Sequence, residues 1–238
     1  MHQLNHLYFH GSLAHHGYLA YKTTAPQIKR PAVLIVHDWS GRNAFACQQA
    51  EKMAERGYVG FSLDMYGEGR CGETVAEKQA LMQPLMADRQ LLRKRITAGL
   101  NALSMIDVVD QQRIAVIGFC FGGLCALDLA RSGASIKAAI SVHGLLNKPA
   151  ELDNQLIQAK VMILHGYDDP MVTPADVHAF CQEMTKAEVD WQAHLYGNTQ
   201  HAFTNPQAHD EHAGTVYNAL AAGRAQTAMT AFLQEAFA

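Results

Sequence analysis

The chain has 238 residues, of which 49% are hydrophobic and 17% charged, with a formal net charge of −3. That is long enough to bury one large core, and with only 7 Pro and 18 Gly it is too ordinary in composition for a disordered or collagen-like polymer. The near-neutral balance offers no cationic footprint for nucleic acid or anionic lipid, so small molecules are the expected partners.

No apolar run approaches the roughly 18 residues needed to span a bilayer, and the N-terminus lacks the basic-then-apolar order of a secretory signal. A cytoplasmic protein without membrane contact is expected. The five cysteines, Cys47, Cys71, Cys120, Cys125 and Cys181, include no C-x-x-C and no zinc spacing. Neither a disulfide framework nor a structural metal is expected, and at least one thiol is free.

Along the chain, Leu4 to Thr24 shows short β-like stretches broken by Gly11 and Gly17, the pattern of an N-terminal hairpin. The apolar runs Ala32–Val36, Val59–Leu63, Arg113–Ile117, Ala138–Val142 and Lys160–Leu164 then read as strands covered on both faces. Helical spacing fills Asn43–Arg56, Pro84–Met105, Phe121–Ser132 and Pro174–Thr185. Asp190–Tyr196 is a further strand candidate, followed by a polar loop from Gly197 to Pro206 and an Ala-rich helix from about Glu211 to Phe237. Alternation of strand and helix predicts an α/β fold with a mainly parallel, twisted sheet and helices on both faces. No linker or repeat divides the chain, so one domain is expected over residues 1–238. The helical stretch from Glu73 to Met105 exceeds what one crossover needs, so part of it is expected to cap the sheet's carboxyl ends.

The most informative segment is Gly118-Phe119-Cys120-Phe121-Gly122-Gly123, lying between an apolar strand and a helix. It has the form of a nucleophile elbow, G-x-S-x-G, with cysteine in place of serine. The turn brings neighbouring backbone so close that the residues two before and two after the nucleophile must be small. The following helix start places positive potential at the thiol.

In an elbow-bearing α/β hydrolase the acid and then the base follow the nucleophile in the chain. The strand Lys160–Leu164 runs into His165-Gly166-Tyr167-Asp168-Asp169-Pro170, which offers two carboxylates. Asp169 is favoured because it lies three residues past the loop glycine, with Asp168 left as a turn or capping residue. Of thirteen histidines, His201 has the right order and context, on the polar loop after the last strand. His143 and His165 end strands but precede or adjoin the acid, and His194 falls within a strand. His209 and His212, in H-D-E-H, lack the H-E-x-x-H spacing of a metal site and read as a solvated helix start.

Oxyanion donors are expected from the Phe121 amide and from the loop His37-Asp38-Trp39-Ser40-Gly41, most simply the Trp39 amide. Asp38 is either a modulator of the thiol or a loop cap. Gly67-Glu68-Gly69-Arg70-Cys71-Gly72 formally matches a dinucleotide fingerprint, but Asp64-Met65-Tyr66 separates it from the preceding strand and no strongly apolar helix starts at its third glycine.

From about Gly17 to Phe232 these motifs, taken in order, resemble the dienelactone hydrolase family. The matching segments are H-D-W-S-G at His37–Gly41, D-M-Y-G at Asp64–Gly67, G-F-C-F-G-G at Gly118–Gly123, G-Y-D-D-P at Gly166–Pro170 and H-A-F at His201–Phe203. The resemblance implies an α/β-hydrolase fold, a Cys120–Asp169–His201 triad, hydrolysis of a cyclic enol-lactone and no cofactor. Lactonases of that family carry glutamate at the position of Asp38 and an arginine at the position of Asn205, where it holds the lactone's carboxylate. Arg89 or Arg93 is a candidate to compensate, and Tyr66 and Asn205 are further candidate substrate contacts.

The expected function is cysteine-dependent hydrolysis of activated esters or lactones through a thioester. An aryl-ester and phosphotriester hydrolase using the same thiol is the alternative. A non-catalytic binding protein is disfavoured by the intact triad, and a thioredoxin-like protein by the lack of C-x-x-C. Monomer and homodimer both stay open.

Overall fold

The computed structural model describes residues 1–23, 28–149 and 156–238. Thr24, at the end of the expected hairpin, lies outside them. An eight-stranded sheet runs in the order β1 (His2–His10), β2 (Leu13–Tyr21), β4 (Val59–Ser62), β3 (Arg30–Val36), β5 (Val109–Phe119), β6 (Ala138–Val142), β7 (Lys160–Gly166) and β8 (Trp191–Tyr196). The hairpin β1–β2 joins β4 antiparallel, and every later pairing is parallel. The arrangement is an α/β-hydrolase fold with an N-terminal antiparallel hairpin, as the alternation in the sequence predicts.

Both faces of the sheet are covered, and alternate residues of each strand divide between two cores. On one face Leu34, Val116 and Ile163 pack with Leu92, Ile96 and Leu103 of α3 (Arg89–Ser104), with α4 (Phe121–Arg131) and with α5 (Pro174–Lys186). On the other, Val33, Ile35 and Ile117 meet α1 (Ala44–Glu55) and α6 (Ala219–Phe237). Helix starts are capped by side chains: Asn43 at α1, Asp88 at α3, Asn218 at α6, and a reciprocal Thr173–Asp176 box with Pro174 in the first turn of α5.

Two expectations about helices are corrected. The helix expected to start at Pro84 is two helices, α2 (Val75–Ala87), which carries Pro84 within it, and α3; Asp88 ends one and caps the other. Only α2 reaches over the sheet's carboxyl end, whereas α3 is a layer helix whose apolar face joins the core. The last helix begins at Ala219, not near Glu211, because β9 (His209–Asp210) and β10 (Thr215–Val216) pair as a small ladder across a turn with Gly214 at φ +66°. His209 therefore stands on an exposed strand and His212 in its turn.

Candidate active site

Cys120 stands between β5 and α4 with φ 54° and ψ −117°, a left-handed backbone that a non-glycine residue adopts only under constraint. The constraint is visible on either side. A Cβ on Gly118 would lie 1.8 Å from the Gly122 carbonyl oxygen, and one on Gly122 would lie 2.3 Å from that of Val36. Glycine at both positions lets strand, turn and helix touch, and the thiol is carried to the carboxyl edge of the sheet.

β7 ends in the turn that carries the acid. Asp169 is buried, and its Oδ1 accepts the N–H groups of Met171 at 2.8 Å and Val172 at 3.3 Å. Its Oδ2 accepts from His201 Nδ1 at 2.7 Å. Asp168 is exposed and takes no part. The segment holding His201 is pinned by the β9–β10 ladder: His201 N–H donates to Gly214 O, and Val216 N–H donates to His201 O, both at 3.0 Å. The polar loop after the last strand is therefore a fixed support.

Nδ1 of His201 is committed to Asp169, which leaves Nε2 for the thiol. Nε2 makes no well-formed hydrogen bond, yet the Cys120 sulfur is close enough to act on its protonation. Burial opposes the imidazolium, but the Cys120 charge and the Asp169 hydrogen bond outweigh it and raise the His201 pKa to about 10. His143, edge-on to His201 with ring centroids 5.1 Å apart, is driven the other way by burial and by the neighbouring His201 and His165. His165 donates to Val172 O at 3.1 Å, with burial again lowering its pKa.

Cys120, His201, Asp38, Trp39, Phe121 and Asn205 all line one cleft of about 400 Å³. A larger hollow of about 930 Å³, between the hairpin and the end of α3, has among the described residues no cysteine in its lining and no hydrogen-bonded acid–imidazole pair like Asp169–His201. Asp38 Oδ1 accepts the Ser40 N–H at 2.8 Å, so it caps its own loop as well as facing the cleft. Asn205 likewise caps its turn through Gln207 N–H at 3.0 Å.

Three expected substrate contacts lie elsewhere. Arg89 is tied to buried Asp128 at 2.7 Å and does not reach the cleft lining, and neither does Arg93. Tyr66 is buried beneath the Trp39 loop, where its hydroxyl donates to Trp39 O at 2.9 Å. Conversely, the cleft includes His143 and the α2 residues Val75, Lys78 and Met82, which sequence reasoning passed over. Lys78 lies 5.5 Å over the Trp39 ring. His143 carried a signal, its place at a strand's carboxyl end; for α2 the excess length of 73–105 pointed to the segment but not to the residues, since one face of a helix reads like another.

The fingerprint-like loop Gly67–Gly72 is occupied by its own chain. The Asp64 carboxylate accepts N–H groups from Tyr66, Gly67, Gly69 and His16 at 2.8–3.1 Å. Those amides are therefore not presented to a phosphate. Among the described residues no helix is long and apolar enough to cross a membrane, and no cluster of three or more His, Cys, Asp or Glu side chains could hold a metal.

An elbow at the end of a central parallel strand, facing an acid–imidazole pair supplied by later loops, defines an α/β hydrolase. The model of the dienelactone hydrolase family matches residues 16–237, and the chain belongs to that family. A dienelactone hydrolase-like promiscuous phosphotriesterase from metagenomic libraries superposes with a TM-score of 0.94 at 33% identity, over 100% of this chain and 99% of that one. An uncharacterised protein of Caenorhabditis elegans is 38% identical over 150 residues, 62% of this chain and 95% of its own length. A probable 2-oxo-3-(5-oxofuran-2-ylidene)propanoate lactonase of Bradyrhizobium is 26% identical over 202 residues, 81% of this chain and 78% of its own. The chain is thus a dienelactone hydrolase-like ester or lactone hydrolase.

Proposed function

We propose that this hydrolase acts through Cys120 on activated carboxylic esters or lactones, forming a thioester within a single α/β-hydrolase domain. The observation that carries the reading is the buried Asp169–His201 pair turned toward a cysteine held at an elbow. His201 holds the thiol proton, and the Cys120 thiolate attacks the acyl carbon. The oxyanion is received by the Trp39 and Phe121 amides, the second at the start of α4, whose dipole favours negative charge. When the carbonyl re-forms, the C–O bond to the leaving group breaks and the His201 proton goes to the departing oxygen. Water then attacks the thioester, giving its proton to His201. Collapse releases the acid and returns the proton to the sulfur–imidazole pair. No cofactor enters these steps.

Five free cysteines suit a reducing compartment and support a cytoplasmic location. The reading is tested by Cys120→Ala, which should abolish hydrolysis of p-nitrophenyl acetate while alanine at Cys47, Cys71, Cys125 or Cys181 leaves most of it. Stoichiometric haloacetamide labelling of Cys120 should remove activity in parallel. Retention of more than about a tenth of the rate in Cys120→Ala would move the chemistry elsewhere.

A second substrate class is favoured by the residue after the histidine loop. Asn205 lines the cleft and caps a turn, so no arginine anchors a substrate carboxylate there, and neutral aryl esters suit the site. The same sulfur and amides suit a neutral phosphotriester, because attack at phosphorus also builds charge on one oxygen. The 33% identical phosphotriesterase relative supports this. Continuous aryl-alcohol release from an activated phosphotriester, absent in Cys120→Ala, is the expected result; one stoichiometric burst would refute it.

A further inference from the structure

The backbone carrying the first oxyanion amide is gripped from the core side. His37 is buried behind the cleft-lining residues Asp38, Trp39 and Ser40, and Met65 N–H donates to its Nε2 at 3.1 Å. A backbone amide can only donate, so Nε2 carries no proton and Nδ1 does. Nδ1–H in turn donates to the Asp38 carbonyl at 2.5 Å. That carbonyl belongs to the same peptide group as the Trp39 N–H, and in a trans peptide the two point in opposite directions. With C=O drawn inward to His37, the N–H is turned outward.

The next peptide is held at both ends as well. Tyr66 Oη donates to Trp39 O at 2.9 Å, and Asp38 Oδ1 accepts the Ser40 N–H at 2.8 Å. The Tyr66 ring also meets the His37 ring edge-on at 4.8 Å and stacks on Phe121, owner of the other amide, at 6.0 Å. One buried aromatic group thus supports both sides of the expected oxyanion hole.

We propose that His37 and Tyr66 are positioning residues of the reaction, locking two successive peptides so that the Trp39 N–H points at the developing oxyanion. The inference rests on the oxyanion assignment under Proposed function. Neither side chain touches substrate. Their work is preorganisation: the donor is aimed before charge appears, and no backbone rotation is needed in the transition state.

The test uses His37→Leu, His37→Gln and Tyr66→Phe in the full chain, with p-nitrophenyl acetate turnover and, separately, the rate of Cys120 methylation by iodomethane. Methylation displaces iodide from a saturated carbon and puts no charge on an oxygen, so it reads the sulfur and its imidazole but not the oxyanion donors. His37→Leu should lower kcat about 100-fold, the cost of one lost oxyanion donor, with KM within about threefold and methylation within about twofold of wild type. Tyr66→Phe should lower kcat about tenfold with the same split, since one of two holds remains. His37→Gln, which keeps an N–H and an acceptor, should recover most of the loss.

A kcat within about threefold of wild type in both His37→Leu and Tyr66→Phe would overturn the proposal, as would methylation falling in step with kcat. If His37→Leu fails to fold, Tyr66→Phe decides by the same two rates. Undiminished ester turnover by wild type fully methylated at Cys120 would overturn the nucleophile assignment itself, and the inference with it.

Discussion

Asp169 receives the His201 Nδ1–H at 2.7 Å across 32 residues of chain, while both Asp169 oxygens are already engaged and its neighbour Asp168 faces solvent. Asparagine at 169 would have to present an NH₂ either to the imidazole or to the two amides at Met171 and Val172. Asp169→Asn is therefore expected to lower kcat by about 10³- to 10⁴-fold, chiefly by favouring the wrong imidazole tautomer. Asp168→Asn should stay within about twofold. Steady-state kinetics of the two variants side by side check the assignment, and equal losses would contradict it.

The elbow makes a prediction about folding. An added methyl at Gly118 must displace the Gly122 carbonyl, which lies 1.8 Å from the new carbon, and neither is a flexible side-chain end. Gly118→Ala should cost more than about 4 kcal/mol, lowering Tm by about 10 °C or leaving the protein insoluble. Gly57→Ala is a fair control: nothing lies within 4 Å of its Cβ, but its φ of +91° makes a smaller strain cost of about 1–2 kcal/mol. Thermal denaturation that ranks the two the other way would contradict the close packing.

The raised pKa of His201 predicts a pH dependence of stability. Burial opposes its charge, but Cys120 and Asp169 together bring the folded value to about 10, above the ordinary 6.5. A folded pKa above the unfolded one stabilises fully below about pH 6.5 and is lost as pH climbs through about 10. The Tm difference between wild type and His201→Gln should therefore shrink steadily from pH 6.5 to pH 10. A difference that grows over that interval would mean that the resting imidazole is uncharged.

Arg89 and Arg131 bear on stability instead of substrate choice. Buried Asp128 pairs with Arg89 at 2.7 Å and with Arg131 at 3.5 Å, and Arg131 also reaches Glu183 at 2.7 Å and the Leu146 carbonyl at 2.8 Å. Removing Arg131 takes away one of the two guanidinium partners of fully buried Asp128 together with the contacts to Glu183 and the Leu146 carbonyl, while Arg89 still holds Asp128, so Arg131→Met should cost about 1–3 kcal/mol with KM unchanged. Arg89→Ala should cost less, because its side chain is 10% exposed, whereas Arg131 is 1% exposed and also holds Glu183 and the Leu146 carbonyl. A KM rise in Arg89→Ala without loss of Tm would restore it as a substrate contact.

Much of this architecture was legible because its signals are local. Short β-branched runs between helical segments implied a parallel sheet, and the observed strands β3 to β8 overlap every predicted run. The elbow was equally legible, since the strand, the two glycines and the helix start are contiguous. Boundaries failed where long-range partners decided them. Residues from Glu211 onward have helical composition, yet His201 backbone groups pair with Gly214 and Val216 and hold that stretch extended. Helical spacing marked Pro84–Met105 as one helix, but α2 accommodates Pro84 inside and ends where Asp88 caps the next helix.

The sequence by itself determined the α/β class, the hairpin ahead of it, and the order in which cysteine, acid and histidine appear, because spacing and residue type along the chain carry that information. Only the tertiary structure decided what each polar side chain does. Arg89 had the charge to bind a carboxylate and Tyr66 the hydroxyl to touch substrate, but Asp128 claims one and the Trp39 carbonyl the other. His37 looked like a loop residue until its two nitrogens found Met65 N–H and Asp38 O. A buried hydrogen-bonding group must be satisfied by whatever folding brings within about 3 Å, and those partners are set by the packing of distant segments, which no local pattern records.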